Sequence, residues 1–431
     1  MIPPSSNSQS ISSAEALYKM GSETIHELET EKGILASGRQ EIFGCIFGRD
    51  SLISALQLLY AYEKNKDAYF IGLVRKILVN LFDLQGTSVN IESGEEPGKC
   101  IHEYRPEKHE HLTKRAQNPW FVYPDSIMRN YDSLDSTPLL LIAIFRYYQA
   151  TGDEQFLEIA LPHVHTALDW IVQYGDSNKD GFLDYGLRSD REYGGLEVQN
   201  WMDSKESVFH EDGTQIAFPI APIEVQAYTY AALKSWGSYF YKSADNSYGV
   251  SLLEKAKALK HNFNDKFFIK EGDRLIIANG IDGNGKPMLS ARSSMGHCLW
   301  ATVKTENGLD SIVNKEYISL IAQRLMASDL FIPGAGIRTL STQSRNFLPN
   351  SYHNGSIWPH DNAMIIEGLH NFNFIAEARQ VKESMLSAWS YFNTPIELFV
   401  YDNGFKEYIS ETGQTACKQQ AWSAASLLAV V

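Results

Sequence analysis

"RDSLISALQLLYAYEKNKDAYFIGLVRKILVNLFD", residues 49–83, contains two helical repeats separated by four polar residues. Leu52, Leu56 and Leu59 recur at helical spacing in the first half; Phe70, Leu73, Ile77, Leu78 and Leu81 do so in the second. Apolar side chains three and four residues apart share one face of an α-helix. The pattern predicts helices over 49–63 and 66–83 joined by the short turn KNKD. Two helices on so short a turn pack antiparallel, which makes the segment an α-hairpin.

The same template predicts ten further helices, near 12–29, 137–151, 154–174, 222–242, 249–265, 294–304, 313–328, 359–371, 373–391 and 418–431. Strand-like runs are few, such as RLIIAN at 274–279. Short turns alternate with long connectors at 84–136, 175–221, 266–293, 329–358 and 392–417, rich in Gly, Asp, Asn and aromatic residues. Loops this long in a compact chain are either functional or disordered, and the Trp, Tyr and Arg in these favour function. The expected fold is all-α, a ring of α-hairpins with its site on the long-loop side. No Pro/Gly/Ser-rich linker interrupts the sequence, so residues 1–431 are expected to form one domain, with 1–11 extended or disordered.

Composition narrows the function classes. Of the 431 residues, 44% are hydrophobic and 21% charged, as in a globular protein with a large core. The net charge of −14 argues against nucleic acid or an anionic membrane as partner, since both call for a basic patch. The first residues, MIPPSSNSQS, lead to the expectation of no secretory signal, and no apolar run reaches the ~18 residues that would span a membrane. Cys45, Cys100, Cys298 and Cys417 are widely spaced, which indicates neither a zinc site nor a disulfide framework. A cytoplasmic protein with reduced thiols, monomeric or homodimeric, is the expectation.

"SYHNGSIWPHDN", residues 351–362, crowds two aromatics, two histidines and several hydrogen-bonding side chains ahead of an apolar run. Such a mixture suits a ligand with C–H faces and many hydroxyls, which points to carbohydrate as partner. Glycoside hydrolysis requires two carboxyl groups on opposite faces of a sugar. Asp203 in "NWMDSKES" follows Trp201, an apolar wall that could desolvate it and raise its pKa as a general acid requires; the alternative is a helix N-cap. "TPIELFVYDNGFKEYISETG" offers Glu397 amid apolar neighbours, Glu407 beside Lys406, and Glu411. Glu397 could instead be the outward residue of a short strand, and Glu407 an exposed ion pair of little worth. Arg49 and Asp50 head the first hairpin, where they could grip hydroxyls or merely cap the helix. "NYDSLDSTPLL" repeats the format with Tyr131, Asp132 and Asp135, and "GIRTLS" places Arg338 upstream of the aromatic motif. "DSNKDGFLD" at 176–184 begins like a calcium loop but has Leu187 at the twelfth position, where a bidentate Glu is needed. Asx turns are expected there, and neither metal nor cofactor.

Taken together, "FGRDSLIS", "EEPGKCIHEYR", "YDSLDSTPLLL", "NWMDS", "PIAPIEVQAYTYAAL", "GIRTLS", "SYHNGSIWPHDNAMI" and "CKQQAWSAASLL" resemble the amylo-α-1,6-glucosidase family of glycogen debranching enzymes. The resemblance extends more distantly to glucoamylases and trehalases. It implies an (α/α)6 barrel and an inverting glycoside hydrolase, with Asp203 as general acid. A Pro-Glu-Leu segment in debranching-type relatives implies Glu397 as the base, although Ile396 stands between Pro395 and it here. Glucoamylases and trehalases carry the base nearer the final helix, which would be Glu407. The resemblance also implies sugar contacts from Arg49, Asp50, Tyr131, Asp135, Trp201, Arg338, His353, Trp358, His360 and Asp361. Many debranching-type relatives carry a β-sandwich ahead of the barrel, for which this sequence has at most about forty residues. The expected reaction is release of glucose from α-glucosides. Hydrolysis of a small α-glycoside such as glucosylglycerate or mannosylglycerate, a phosphorylase and an inactive carbohydrate-binding barrel are the rivals.

Overall fold

The computed structural model describes residues 7–272 and 274–431. Its helices are α1 (Asn7–Leu28), α2 (Gly48–Asn65), α3 (Ala68–Asp83), α4 (Ser136–Thr151), α5 (Glu154–Gln173), α6 (Ile223–Tyr241), α7 (Asn246–Lys266), α8 (His297–Trp300), α9 (Lys315–Leu325), α10 (Pro359–Asn371), α11 (Ile375–Phe392) and α12 (Ala421–Val430), with a further single turn at Glu110–Thr113. The KNKD turn works by local chemistry. Lys66 adopts a left-handed conformation that stops α2, and Asp67 caps α3 by accepting from the Tyr69 N–H at 3.0 Å. Gly152 and Asp153 repeat the device between α4 and α5.

Two expectations need correction. Residues 7–11, expected to be extended or disordered, are helical, while 1–6 lie outside the described residues. The helix expected over 294–304 shrinks to a 3-10 turn, Ser293–Gly296, followed by the single turn of α8. Beyond it Val303–Thr305 pairs with Gly308–Asp310 as a hairpin, and the β-branched Val303 and Thr305 suit that strand.

Helix burial separates two layers. Thirteen of the eighteen residues of α2 and all ten of α12 are buried, whereas α3 and α11 bury only one face. A helix apolar and buried all round must have neighbours on every side. Accordingly α2 packs on α4, α4 on α6, α6 on α8, α8 on α10, α10 on α12, and α12 on α2. The outer helices α3, α5, α7 and α11 each pack on the inner helix before them, and α1 lies on α12. Long connectors lead into the inner helices, so their N-termini share the long-loop side.

Among the described residues, sheet is confined to two- and three-stranded patches, most of them in these connectors. Ile46–Phe47, Glu103–Arg105 and Met128–Asn130 form one antiparallel patch that fastens the first long connector to the head of α2. Arg274–Ile277, the strand-like run of the sequence, pairs with Phe268–Glu271. Phe399–Tyr401 pairs with Phe405–Glu407 around Asn403 and Gly404, both at positive φ. At 176–184 the side chains serve as turn acceptors. Asp176 accepts from the backbone of Asp180 and Gly181, and Asp184 from that of Ser177 and Asn178. All four cysteines are buried and unpaired.

Candidate active site

Arg49 lies in the first turn of α2 and organises one side of the long-loop face. Its Nε donates to Asp135 Oδ2 at 2.7 Å, Nη1 to Asp203 Oδ2 at 3.0 Å, and Nη2 to the Asn200 carbonyl at 3.1 Å. Asp135 is fully buried just ahead of α4, where Ser133 also donates to it. Asp203 retains 25% side-chain exposure. Burial raises its carboxyl above the usual range; Arg49 opposes this, and the charge of Asp135 adds to it. With Arg49 already engaged by Asp135, burial prevails at Asp203. The cap reading does not hold, because Ser204 occupies the position before the short turn Lys205–Ser207.

Glu397 is 2% exposed and lies just before the Phe399–Tyr401 strand. It accepts from the Tyr352 hydroxyl and, at 2.8 Å, from the Cys417 N–H. Burial pushes it up to about 7 against those two donors. Asp50, next to Arg49 in the first turn of α2, accepts from Gln420 Nε2 at 2.9 Å. Burial pushes Asp50 up to about 8, and the charges of Asp203 and Glu397 both add to the rise. Glu407 behaves differently. It is half in solvent, paired with Lys418, while Lys406 pairs with Asp402.

Aromatic and imidazole rings wall the space. Trp201 meets Trp358 edge-on at 5.8 Å and His360 at 5.1 Å, and donates its N–H to Ser294. His353 stacks on Trp358 at 5.1 Å, and His360 on Trp422 at 3.7 Å. Burial holds both imidazoles well below their usual range, hence neutral. Asp361 and Tyr228 bracket His297, at 2.9 and 2.5 Å. Both ring nitrogens of His360, Nε2 of His353, Oδ2 of Asp361 and Oε2 of Glu224 are buried without a protein partner. Unspent donors and acceptors of this kind suit a ligand rich in hydroxyls.

The sequence profile of the amylo-alpha-1,6-glucosidase family matches residues 121–429, well over half the chain. The chain belongs to the amylo-alpha-1,6-glucosidase family. Solved structures extend the likeness in fold. A mannosylglycerate hydrolase from Thermus thermophilus, in complex with Tris, superposes with a TM-score of 0.66 at 14% identity, covering 96% of this chain and 99% of that one. A metal-independent alpha mannosidase from Streptococcus pneumoniae, in a non-productive complex with alpha-1,6-mannobiose, gives 0.61 at 12% identity, with 98% and 94% covered. A rhamnosidase from Klebsiella oxytoca with rhamnose bound gives 0.57 at 12%, with 97% and 63% covered. No curated protein matches the sequence.

Within this member of the amylo-alpha-1,6-glucosidase family, Arg49, Asp50, Asp135, Trp201, Asp203, His353, Trp358, His360, Asp361 and Glu397 converge on one region. Tyr131 and Arg338 do not reach it through any hydrogen bond among the described residues. The Tyr131 hydroxyl donates to the Leu84 carbonyl at 3.2 Å, fastening a connector. Arg338 lies over the Phe347 ring at 5.6 Å. Tyr352, Gln420, Asn200, Glu224 and His297 join the site without having been singled out. Tyr352 and Gln420 sit inside motifs quoted above, and their partners are 45 and 370 residues away.

Proposed function

We propose that the protein is an inverting glycoside hydrolase built as an (α/α)6 barrel, which releases glucose from α-glucosides. The cyclic order of the six inner helices supports the barrel. The catalytic reading rests on one observation: Asp203 and Glu397 are each buried enough to have raised carboxyls, and both bear on Asp50. Asp203, in its protonated form, delivers its proton to the glycosidic oxygen as the bond to the leaving group breaks. Glu397, ionised, takes a proton from a water that attacks the anomeric carbon from the opposite face, which inverts the configuration. Arg49, Asp50 and Asp361 hold the sugar's hydroxyls, while Trp201 and Trp358 cover its C–H surface. No cofactor or metal enters this scheme. Turnover should rise with pH through about 7 as Glu397 ionises.

A second reading is a hydrolase for a small α-glycoside. It is favoured by the likeness to the mannosylglycerate hydrolase, which spans 96% of one chain and 99% of the other. A panel of limit dextrin, isomaltose-type oligosaccharides, glucosylglycerate and mannosylglycerate separates the two, with the released sugar's anomer followed by NMR. Glucose from the dextrin, appearing first as the β-anomer, supports the first reading. Activity on glycerate glycosides alone moves the substrate to the second, and a first-formed α-anomer removes inversion.

A further inference from the structure

Arg292 is 1% exposed, yet no carboxylate among the described residues stands within ion-pair distance of it. Its donors go instead to neutral acceptors on two loops. Nη2 donates to the Ser207 carbonyl at 2.7 Å and to Asn354 Oδ1 at 2.6 Å; Nη1 donates to the His353 carbonyl at 2.8 Å and rests 3.4 Å from Met202 Sδ. The guanidinium also lies 5.4 Å over the Phe209 ring. Nε of Arg292 and Oδ1 of Asn279 have no protein partner, and both residues line a cavity of about 10 Å³ with Asn200, Met202 and Ser207.

These contacts have a common consequence. Met202 and Ser207 flank Asp203 on its loop, while His353 and Asn354 follow Tyr352, the hydroxyl that donates to Glu397. The same two loops are stitched by His353 to Ser204 at 2.8 Å and by Asn354 to the Glu206 carbonyl at 2.7 Å. We propose that Arg292 is a positioning residue that sets the separation of Asp203 and Glu397 by clamping the Asp203 loop to the loop whose Tyr352 hydroxyl holds Glu397. The inference rests on the acid and base roles given above. Lysine cannot replace the planar fork, because a single ammonium cannot reach acceptors on both loops in fixed directions.

The test compares R292K and R292M with the wild-type enzyme on the best glycoside of the panel and on the matching glycosyl fluoride, with D203N and E397Q as controls. A fluoride leaving group needs no proton, so D203N should retain much of its fluoride activity. Loss of the clamp should instead lower kcat about 10²-fold on both substrates, since a 1 Å misplacement is enough for that. KM should stay within about threefold. Wild-type kcat in R292K and R292M, or a loss confined to the poor leaving group, would overturn the proposal. If R292M does not fold, R292K carries the same test alone. Full activity in D203N and E397Q would instead remove the acid and base roles themselves.

Discussion

Replacing Glu397 with glutamine should make the protein relatively more stable as pH rises. The carboxyl is 2% exposed, and its pKa stands at about 7 in the folded chain against an ordinary 4.5. Below about 4.5 it is protonated in both the folded and unfolded states, and its burial costs no charge. Between 4.5 and 7 the unfolded chain ionises while the folded chain resists, so stability is lost as pH climbs, and the loss is complete above the folded value. At about 1.4 kcal/mol per pH unit, the gap is worth roughly 3 kcal/mol. Glutamine can accept from the Cys417 N–H and donate to the Tyr352 oxygen, and it has no charge to bury. With an unfolding entropy near 2 cal/mol/K per residue, that difference corresponds to roughly 3–4 °C in melting temperature. Calorimetric melts of both proteins at pH 4.5, 6 and 8 test this: the variant should gain on the wild type by that amount across the series. Parallel curves would refute the burial argument, and with it the reason for assigning Glu397 a raised pKa.

Turnover separates the two candidate bases: E397Q should lose nearly all activity and regain part of it with azide, whereas E407Q should lose about tenfold or less, near 1.4 kcal/mol of barrier. Azide rescue of E407Q alone would move the base to Glu407. D203N should lower kcat on poor leaving groups by about 10²–10⁴-fold, and equal losses on glycosyl fluorides would remove its role as acid. EDTA should alter neither activity nor melting temperature, and a calcium-dependent rise in stability would overturn the Asx-turn reading of 176–184.

Much of this architecture was legible because helical periodicity is local. Leu52, Leu56 and Leu59 mark α2 without reference to anything outside it, and Lys66 and Asp67 end one helix and begin the next within two residues. The expected helix at 294–304 failed where tertiary packing and β-branched residues outweigh an apolar run. At the site, Asp203 and Glu397 were legible from their apolar neighbours and from motif resemblance. Their partners were not. Asn200 offers Arg49 a backbone carbonyl, which no side-chain pattern reveals, and Gln420 meets Asp50 across 370 residues. Arg292 gave no signal at all, because a buried arginine bound to carbonyls looks like any other arginine in a loop. Tyr131 shows the converse, a motif residue whose hydroxyl is spent on the Leu84 carbonyl.

The packing of α12 on α2 has a consequence for synthesis. Chains emerge N-terminus first and form local units as they appear, so the α2–α3 hairpin leaves the ribosome long before the helix that must cover it. Until then the face of α2 that α12 covers has no lid, and Asp50 lacks Gln420. The nascent chain therefore presents an apolar trough for the time needed to add more than three hundred residues, a natural target for a holding chaperone. Circular permutation that opens the 242–245 turn and links residue 431 to residue 1 would shorten the wait, because α12 and α2 would then be made with only α1 between them. Such a permutant should protect α2 from protease sooner during translation, a difference that pulse-labelling with protease challenge would reveal.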